Sequence, residues 1–359
     1  MASLKVHPDF TLNGQQLDKS ALLKLAAEFI HVGEPYEEEV GHFITSWLDD
    51  KKYVSVNTSG STGSPKAIRL HKKHTVNSAR ATAKRFKVYE GTTALLCLPS
   101  RYIGGKMMLV RAMVLGWRLD LVPPKANPLD TVFKRYDFCA MTPFQLDNSM
   151  ARLHLIAKLI VGGGTFPEPL KNKVRDVDTK IYETYGMTET ISHIAIRRVN
   201  SNKKETGIKP FKTVSKVTVS QDDRGCLVIK APKVSSDPVV TNDVVELLSY
   251  KKFIWLGRID NVINSGGIKL YPERIEEKLS PQIQDPFFIG GLPDDALGEK
   301  VVLVLEADRD DVTTVDFSVL DKYEVPKVIF YSPKFERTPN GKLKRGETLR
   351  MLDATSQQK

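Results

Sequence analysis

Cysteine is scarce in this chain of 359 residues: Cys97, Cys139 and Cys226 stand far apart and odd in number. That excludes a disulfide framework and the paired spacing of a structural metal site, and it suits a reducing cytoplasm. Long apolar runs are missing as well. None approaches the ~18 residues of a membrane span, and the N-terminus has no apolar stretch of signal-peptide type. A cytoplasmic protein with no membrane partner is the expectation. Internal repeats and low-complexity segments are absent. So is any basic block interleaved with aromatics, although the net charge is +10. The lysines and arginines are scattered, so nucleic acid is not an expected partner; a basic surface also suits small anions. What is present is 41% apolar and 27% charged residues, enough for a packed core. The length allows one large domain and a small one, or two of medium size.

The stretch Thr58-Ser59-Gly60-Ser61-Thr62-Gly63-Ser64-Pro65-Lys66 concentrates five hydroxyls, two glycines and a lysine in nine residues. Tyr53–Val56 before it and Ala67–Leu70 after it read as short strands, so this is a polar loop between strands. Gly60 and Gly63 let successive N–H groups turn toward one point, the hydroxyls add donors, and Lys66 adds a full charge. A polyphosphate is the natural occupant; a flexible hairpin loop is the alternative. The glycine-to-lysine spacing is not that of the nucleotide loop that precedes a helix.

From residue 66 to 190 strand-like runs (Thr93–Leu98, Arg118–Val122, Phe138–Met141, Lys158–Val161, Thr179–Tyr182) alternate with helix-like ones (Lys72–Lys87, Gly105–Leu115, Gln145–Leu153, Pro167–Arg175). The rhythm predicts an α/β fold with a largely parallel sheet covered by helices, and ligands outside the carboxyl ends of the strands. Two helical patterns precede it, around Leu22–Ile30 and Val40–Leu48. Residues 207–256 read as short antiparallel strands. Residues 1–259 are expected as the large domain and 260–359 as a small α+β domain.

Within this frame several residues bear chemistry. Thr188 and Glu189, in Tyr185-Gly186-Met187-Thr188-Glu189-Thr190, offer a hydroxyl and a carboxylate to a phosphate and its magnesium, or they cap a helix. Asp243 can accept from two ribose hydroxyls, with Arg258 nearby in Trp255-Leu256-Gly257-Arg258; a surface turn is the plain reading of either. Gly266-Gly267 lets backbone approach a thin ligand, or closes a hairpin. Lys342, in Arg337-Thr338-Pro339-Asn340-Gly341-Lys342-Leu343-Lys344-Arg345, is a movable charge or part of a solvated basic tail. Arg111 falls at helical spacing among Met107, Met108, Val114 and Leu115. It either reaches solvent or a protein acid, or faces a pocket and meets a substrate carboxylate.

These motifs together, in this order, resemble the acyl-adenylate-forming (AMP-binding) enzymes, over about residues 55 to 345. The resemblance implies their fold: a large domain of mixed, largely parallel sheets with a small antiparallel region, and a small mobile C-terminal domain. It implies an AMP-forming carboxylate–CoA ligase using ATP, Mg2+ and coenzyme A. It places the polyphosphate on Thr58, Ser59, Gly60, Ser61, Thr62, Gly63 and Lys66. Adenine falls beside the backbone of Gly162-Gly163-Gly164, with Gly163 and Gly164 in the cofactor-binding set, and Tyr185 and Gly186 join that set. Thr188 meets phosphate, Glu189 holds magnesium, and Asp243 and Arg258 hold the ribose. Asp260 is the hinge, Gly266-Gly267 admits the pantetheine arm, and Lys342 is the catalytic lysine. Only 57 residues precede the phosphate loop, so an N-terminal subdomain is expected to be largely missing. That shortening, with Leu98-Pro99-Ser100-Arg101-Tyr102-Ile103-Gly104-Gly105 leading to Arg111, is similar to short bacterial o-succinylbenzoate–CoA ligases of menaquinone synthesis. Tyr102 and Arg111 would then line the acid pocket, although many relatives carry histidine where Tyr102 stands. The rival expectations are another aryl- or acyl-CoA ligase and a non-catalytic nucleotide-binding protein.

Overall fold

The computed structural model describes residues 5–57, 67–164, 166–200, 208–308, 315–337 and 343–356. A small hairpin, β1 (Thr11–Leu12) and β2 (Gln15–Gln16), opens the chain. Then come two antiparallel helices, α1 (Lys19–Val32) and α2 (Pro35–Leu48). Asp18 caps the first, its side chain accepting from Ala21 N at 2.8 Å. Gly41 lets the pair approach closely: a Cβ there would lie 2.5 Å from the carbonyl oxygen of Ala26. Strands β3 (Tyr53–Asn57) and β4 (Ala67–His71), the two short strands expected on either side of the polar loop, pair antiparallel. Helix α3 (Lys72–Phe86) follows at once.

The central run is β5 (Thr93–Leu96), α4 (Ile103–Leu115), β6 (Arg118–Leu121), β7 (Tyr136–Met141), α5 (Pro143–Asn148), β8 (Ile156–Val161), α6 (Glu168–Lys173) and β9 (Lys180–Gly186). These strands are all parallel, in the order β9-β8-β7-β5-β6, with β1 parallel on β6. Strand β8 is almost wholly apolar, as burial between two helical layers requires. The helix expected over Gln145–Leu153 is instead two pieces: α5, ended at Asn148, and a 3-10 segment over Met150–Leu155. Thr142 and Gln145 form a capping box that starts α5 two residues earlier than expected.

Strands β10 (His193–Arg198), β11 (Phe211–Thr213), β12 (Thr218–Gln221), β13 (Cys226–Lys230), β14 (Val239–Ser249) and β15 (Lys252–Arg258) are antiparallel, as expected for 207–256, and β10 adds a strand before that stretch. They do not form a separate sheet. They extend the parallel strands into one 13-stranded mixed sheet. A second, five-stranded sheet holds β16 (Ile263–Ser265), β17 (Ile268–Leu270), β18 (Phe287–Asp294), β19 (Gly298–Glu306) and β20 (Val328–Ser332), with α7 (Pro272–Leu279) and α8 (Arg345–Ser356) against it. Helix α8 is tied down against this sheet. Arg345 Nη2 donates to Glu276 Oε2 at 2.8 Å, and Leu349 packs where Gly290 leaves room.

Strand order reverses at β5 and β7: β5 leads through α4 to β6 on one side, and β7 leads to β8 and β9 on the other. The crevice outside the carboxyl ends of these two strands is where such a sheet takes its ligands. The loops emerging there carry Tyr102, Thr142, Gly163, Gly164, Thr188 and Glu189.

Candidate active site

Strand β9 runs through Tyr185 and Gly186, further than the Thr179–Tyr182 expected, so these two belong to the strand itself and not to a turn after it. Gly186 is required there. A Cβ would lie 2.4 Å from the carbonyl oxygen of Ser192, where β10 folds back over it. Thr188 and Glu189 sit in a 3-10 turn between β9 and β10. Glu189 is exposed and has no partner among the described residues. A free carboxylate on the carboxyl edge of the sheet is the donor type a hard divalent cation takes. After β8 the chain turns through Gly163, at φ +82°, with nothing within 4 Å of where its Cβ would be. That open backbone can lie flat against a ligand ring.

Asp243 and Arg258 face each other directly across β14 and β15. Neither is a surface turn: Asp243 is 8% exposed. Tyr185 donates its hydroxyl to Asp243 Oδ2 at 2.5 Å, and Arg258 Nη1 stands 3.8 Å from Asp243 Oδ1. Arg258 Nη2 also donates to Asp260 at 2.9 Å. Burial and the Asp243 carboxylate hold the Tyr185 phenol well above its ordinary range, so it stays a donor. Burial works to lower the Arg258 pKa, but the hydrogen bond to Asp260 and the charges of Asp243 and Asp260 raise it. A carboxylate has about four lone-pair directions, so one bond from Tyr185 leaves Asp243 able to accept from further hydroxyls.

Arg111 reaches neither solvent nor a protein acid. It is 2% exposed, on the inner face of α4. Its Nη2 donates to Ser192 Oγ at 2.6 Å and its Nε to Thr82 Oγ1 at 3.3 Å, while Nη1 meets Met108 Sδ at 3.6 Å. Among the described residues no carboxylate comes within ion-pair distance. Burial pushes its pKa down to about 10. It is therefore still a cation at neutral pH, short of a counter-charge and with donors to spare. Tyr102 is half-buried at the start of α4, its ring under the Arg101 guanidinium.

His193, Ser192 and Thr82 join the surroundings of Arg111 only in three dimensions. His193 Nε2 lies 3.5 Å from Thr82 Oγ1 and its Nδ1 3.3 Å from Ser192 Oγ. Nothing local marks these residues, because α3 and β10 meet only in the fold. Gly266 (φ +59°) and Gly267 (φ +81°) form the turn of the β16–β17 hairpin. Asp260 is in a short 3-10 turn just before it. The structure thus brings Tyr185, Asp243, Arg258 and Asp260 into one chain of hydrogen bonds and an ion pair; Gly266-Gly267 and Arg111 are not part of it. Thr58, Ser59, Gly60, Ser61, Thr62, Gly63, Lys66 and Lys342 lie outside the described residues. No described helix is long and apolar enough to cross a membrane.

Known proteins resemble this chain in fold and sequence. The AMP-binding enzyme family matches residues 49–235. An acyl-CoA synthetase (AMP-forming)/AMP-acid ligase II-like protein from Dyadobacter fermentans is 33% identical, with a TM-score of 0.60 over 92% of this chain and 98% of its own. The 2-succinylbenzoate–CoA ligase of Bacillus thuringiensis subsp. konkukian is 26% identical over 339 residues, 83% of this chain and 70% of that one. The o-succinylbenzoate coenzyme A synthetase of Bacillus subtilis, solved with ATP and magnesium ion, shares the fold at a TM-score of 0.69 and 21% identity, over 82% of this chain and 69% of its own. With half of its length matched by the family and a relative of one-third identity spanning nearly all of it, this chain belongs to the AMP-binding enzyme family.

Proposed function

We propose that this protein is an ATP-dependent carboxylate–CoA ligase acting through an acyl-AMP intermediate, and that its acid is o-succinylbenzoate. The observation that carries the choice of acid is Arg111: a buried guanidinium with spare donors and no acid partner among the described residues. o-Succinylbenzoate has two carboxylates, and activation of the succinyl one leaves the aromatic one in need of a cationic partner. A relative from Bacillus thuringiensis is named for this substrate, and the Bacillus subtilis synthetase was also solved with the acyl-adenylate OSB-AMP.

In the first half-reaction a carboxylate oxygen attacks the α-phosphorus of ATP; the bond to the β-phosphate oxygen breaks and pyrophosphate leaves. Thr58–Lys66 hold the polyphosphate and Thr188 a phosphate oxygen. Glu189 holds Mg2+, which offsets phosphate charge when bound. Asp243 accepts from the ribose hydroxyls beside Arg258. Gly163, Gly164, Tyr185 and Gly186 line the adenine, and Lys342 stabilises the charge that develops. Residues 260–359 then turn about Asp260, bringing Gly266-Gly267 to the site. The CoA sulfur attacks the acyl carbonyl, its proton is lost, and AMP leaves. One hinge serves two steps. Tyr102 borders the acid pocket, and the cytoplasm is the proposed compartment.

The test is a panel of acids with ATP and CoA, read as AMP formed, on wild type and Arg111→Leu. Loss of one buried charge-assisted contact should lower kcat/KM for o-succinylbenzoate by roughly 30- to 1,000-fold. An analogue lacking the aromatic carboxylate should lose far less. Equal losses for both acids would make Arg111 a structural residue and remove the argument for this substrate.

A further inference from the structure

A cleft of about 270 Å3 opens between α3, the start of β10 and the turns that follow β11 and β13, and nothing in the proposed reaction uses it. Its rim carries Arg80 and Lys84 from α3, Lys216 from the turn before β12, and Lys233 from the turn after β13. All four are exposed, and no aspartate or glutamate lines the cleft. None of the four has an acidic partner among the described residues. Helix α3 has no acidic residue along its whole length, so it supplies no internal compensation. Four like charges around one concavity repel one another and are relieved only by counter-ions or an anionic ligand.

Two further observations separate this from an ordinary basic surface. The floor is apolar: Ile194, Val214, Val217 and Ala231 border the space. A flat apolar body would remove them from what solvent contact remains. And Lys216 stands at φ +62°, a left-handed position where glycine or asparagine is the usual occupant. The backbone accepts strain there, and the residue that occupies it places its ammonium on the rim. The walls are fastened, with Asn77 Nδ2 donating to the carbonyl of Lys233 at 2.9 Å. The concavity therefore stands open without a ligand.

We propose that this cleft is a second binding site, for a small organic dianion with a flat apolar body. The apolar face lies on the floor and the two negative groups reach the rim cations. Thr190 and His193 also line it. They flank the turn that carries Glu189 and the residues that hold Arg111, so an occupant touches the back of the candidate active site.

Naphthalene-2,6-disulfonate is a suitable probe, because it is fluorescent and offers no carboxylate to activate. Titration of the full chain should show saturable binding of one equivalent. Arg80→Glu combined with Lys84→Glu should weaken it by about tenfold or more. Lys216→Gly removes one cation while relieving the backbone strain, so it cannot be dismissed as misfolded; it should weaken binding by about threefold. Arg111→Leu should bind as wild type does. Inorganic phosphate, which has charge but no apolar body, should compete only weakly. The proposal falls if wild type shows no saturable site, if the charge-reversed or glycine variant binds unchanged, if Arg111→Leu abolishes binding, or if phosphate competes as well as the disulfonate.

Discussion

His193 is pressed against two cations. It is buried with its ring edge on Phe86, and burial, then the charges of Arg111 and Arg85, push its pKa down to about 3. The imidazole is thus neutral at every pH where the fold is tested, and Arg111 remains the buried charge beside it. The linkage follows. Between about pH 3 and 6.5 the unfolded chain binds a proton here that the folded chain does not, so stability rises with pH across that window and the contribution is level above it. Acidification from pH 7 to 5 should therefore cost wild type about 2 kcal/mol through this residue, at ~1.4 kcal/mol per pH unit. Urea unfolding at pH 7 and pH 5 reads it, as the difference between wild type and His193→Gln. If the variant loses as much stability on acidification as wild type does, another group carries the dependence.

The β16–β17 hairpin is where one element can be probed without disturbing its neighbours. A Cβ at Gly267 would meet nothing within 4 Å, so glycine stands there for its backbone and not to make room in the core. Its φ of +81° makes a side chain costly by about 1–2 kcal/mol, which a folded domain of this size tolerates. Gly267→Leu should stay folded. If the hairpin lines the path of the CoA thiol, pyrophosphate exchange should survive while thioester formation fails. Collapse of exchange in a folded variant would make the residue structural. The same reasoning separates Gly267 from Gly186 and Gly162, whose added Cβ atoms would strike the Ser192 carbonyl and the Thr184 hydroxyl at 2.4 Å.

At the scale of the molecule, polar side chains tie the two larger sheets together among the described residues. Lys171 of α6 bridges Glu168 at 2.6 Å and Glu277 of α7 at 2.7 Å. Asn242 of β14 donates to Asp260 at 3.4 Å. Polar ties of this kind can be exchanged for others at small net cost, unlike a shared apolar core. That suits the proposed rotation of residues 260–359 about Asp260. Lys342 would move with this unit and be needed in one orientation only. Lys342→Ala should abolish acyl-AMP formation yet leave the reaction of added acyl-AMP with CoA near wild-type rate. Equal loss in both half-reactions would contradict the rotation.

Much of this was written in local order. The hydroxyl-rich loop between β3 and β4, the alternation from 66 to 190, and the motifs around Glu189, Asp243 and Gly266 are contiguous strings, so their chemistry and secondary structure follow from short-range periodicity and residue type. Other features needed residues distant in sequence. Whether Arg111 faces solvent, an acid or a pocket depended on Thr82 and Ser192, which lie 29 and 81 positions away. That Asp243 is a buried acceptor, and not a surface turn, depended on Tyr185 and the register with Arg258. The union of the parallel and antiparallel strands into one sheet rests on β9 pairing with β10, and the basic cleft exists only because α3 packs over turns far along the chain, such as the one that holds Lys233. Local sequence sets which groups are available. Which of them are desolvated, paired or left waiting for a ligand is decided by long-range packing, because burial and electrostatic partnership depend on the whole surrounding volume.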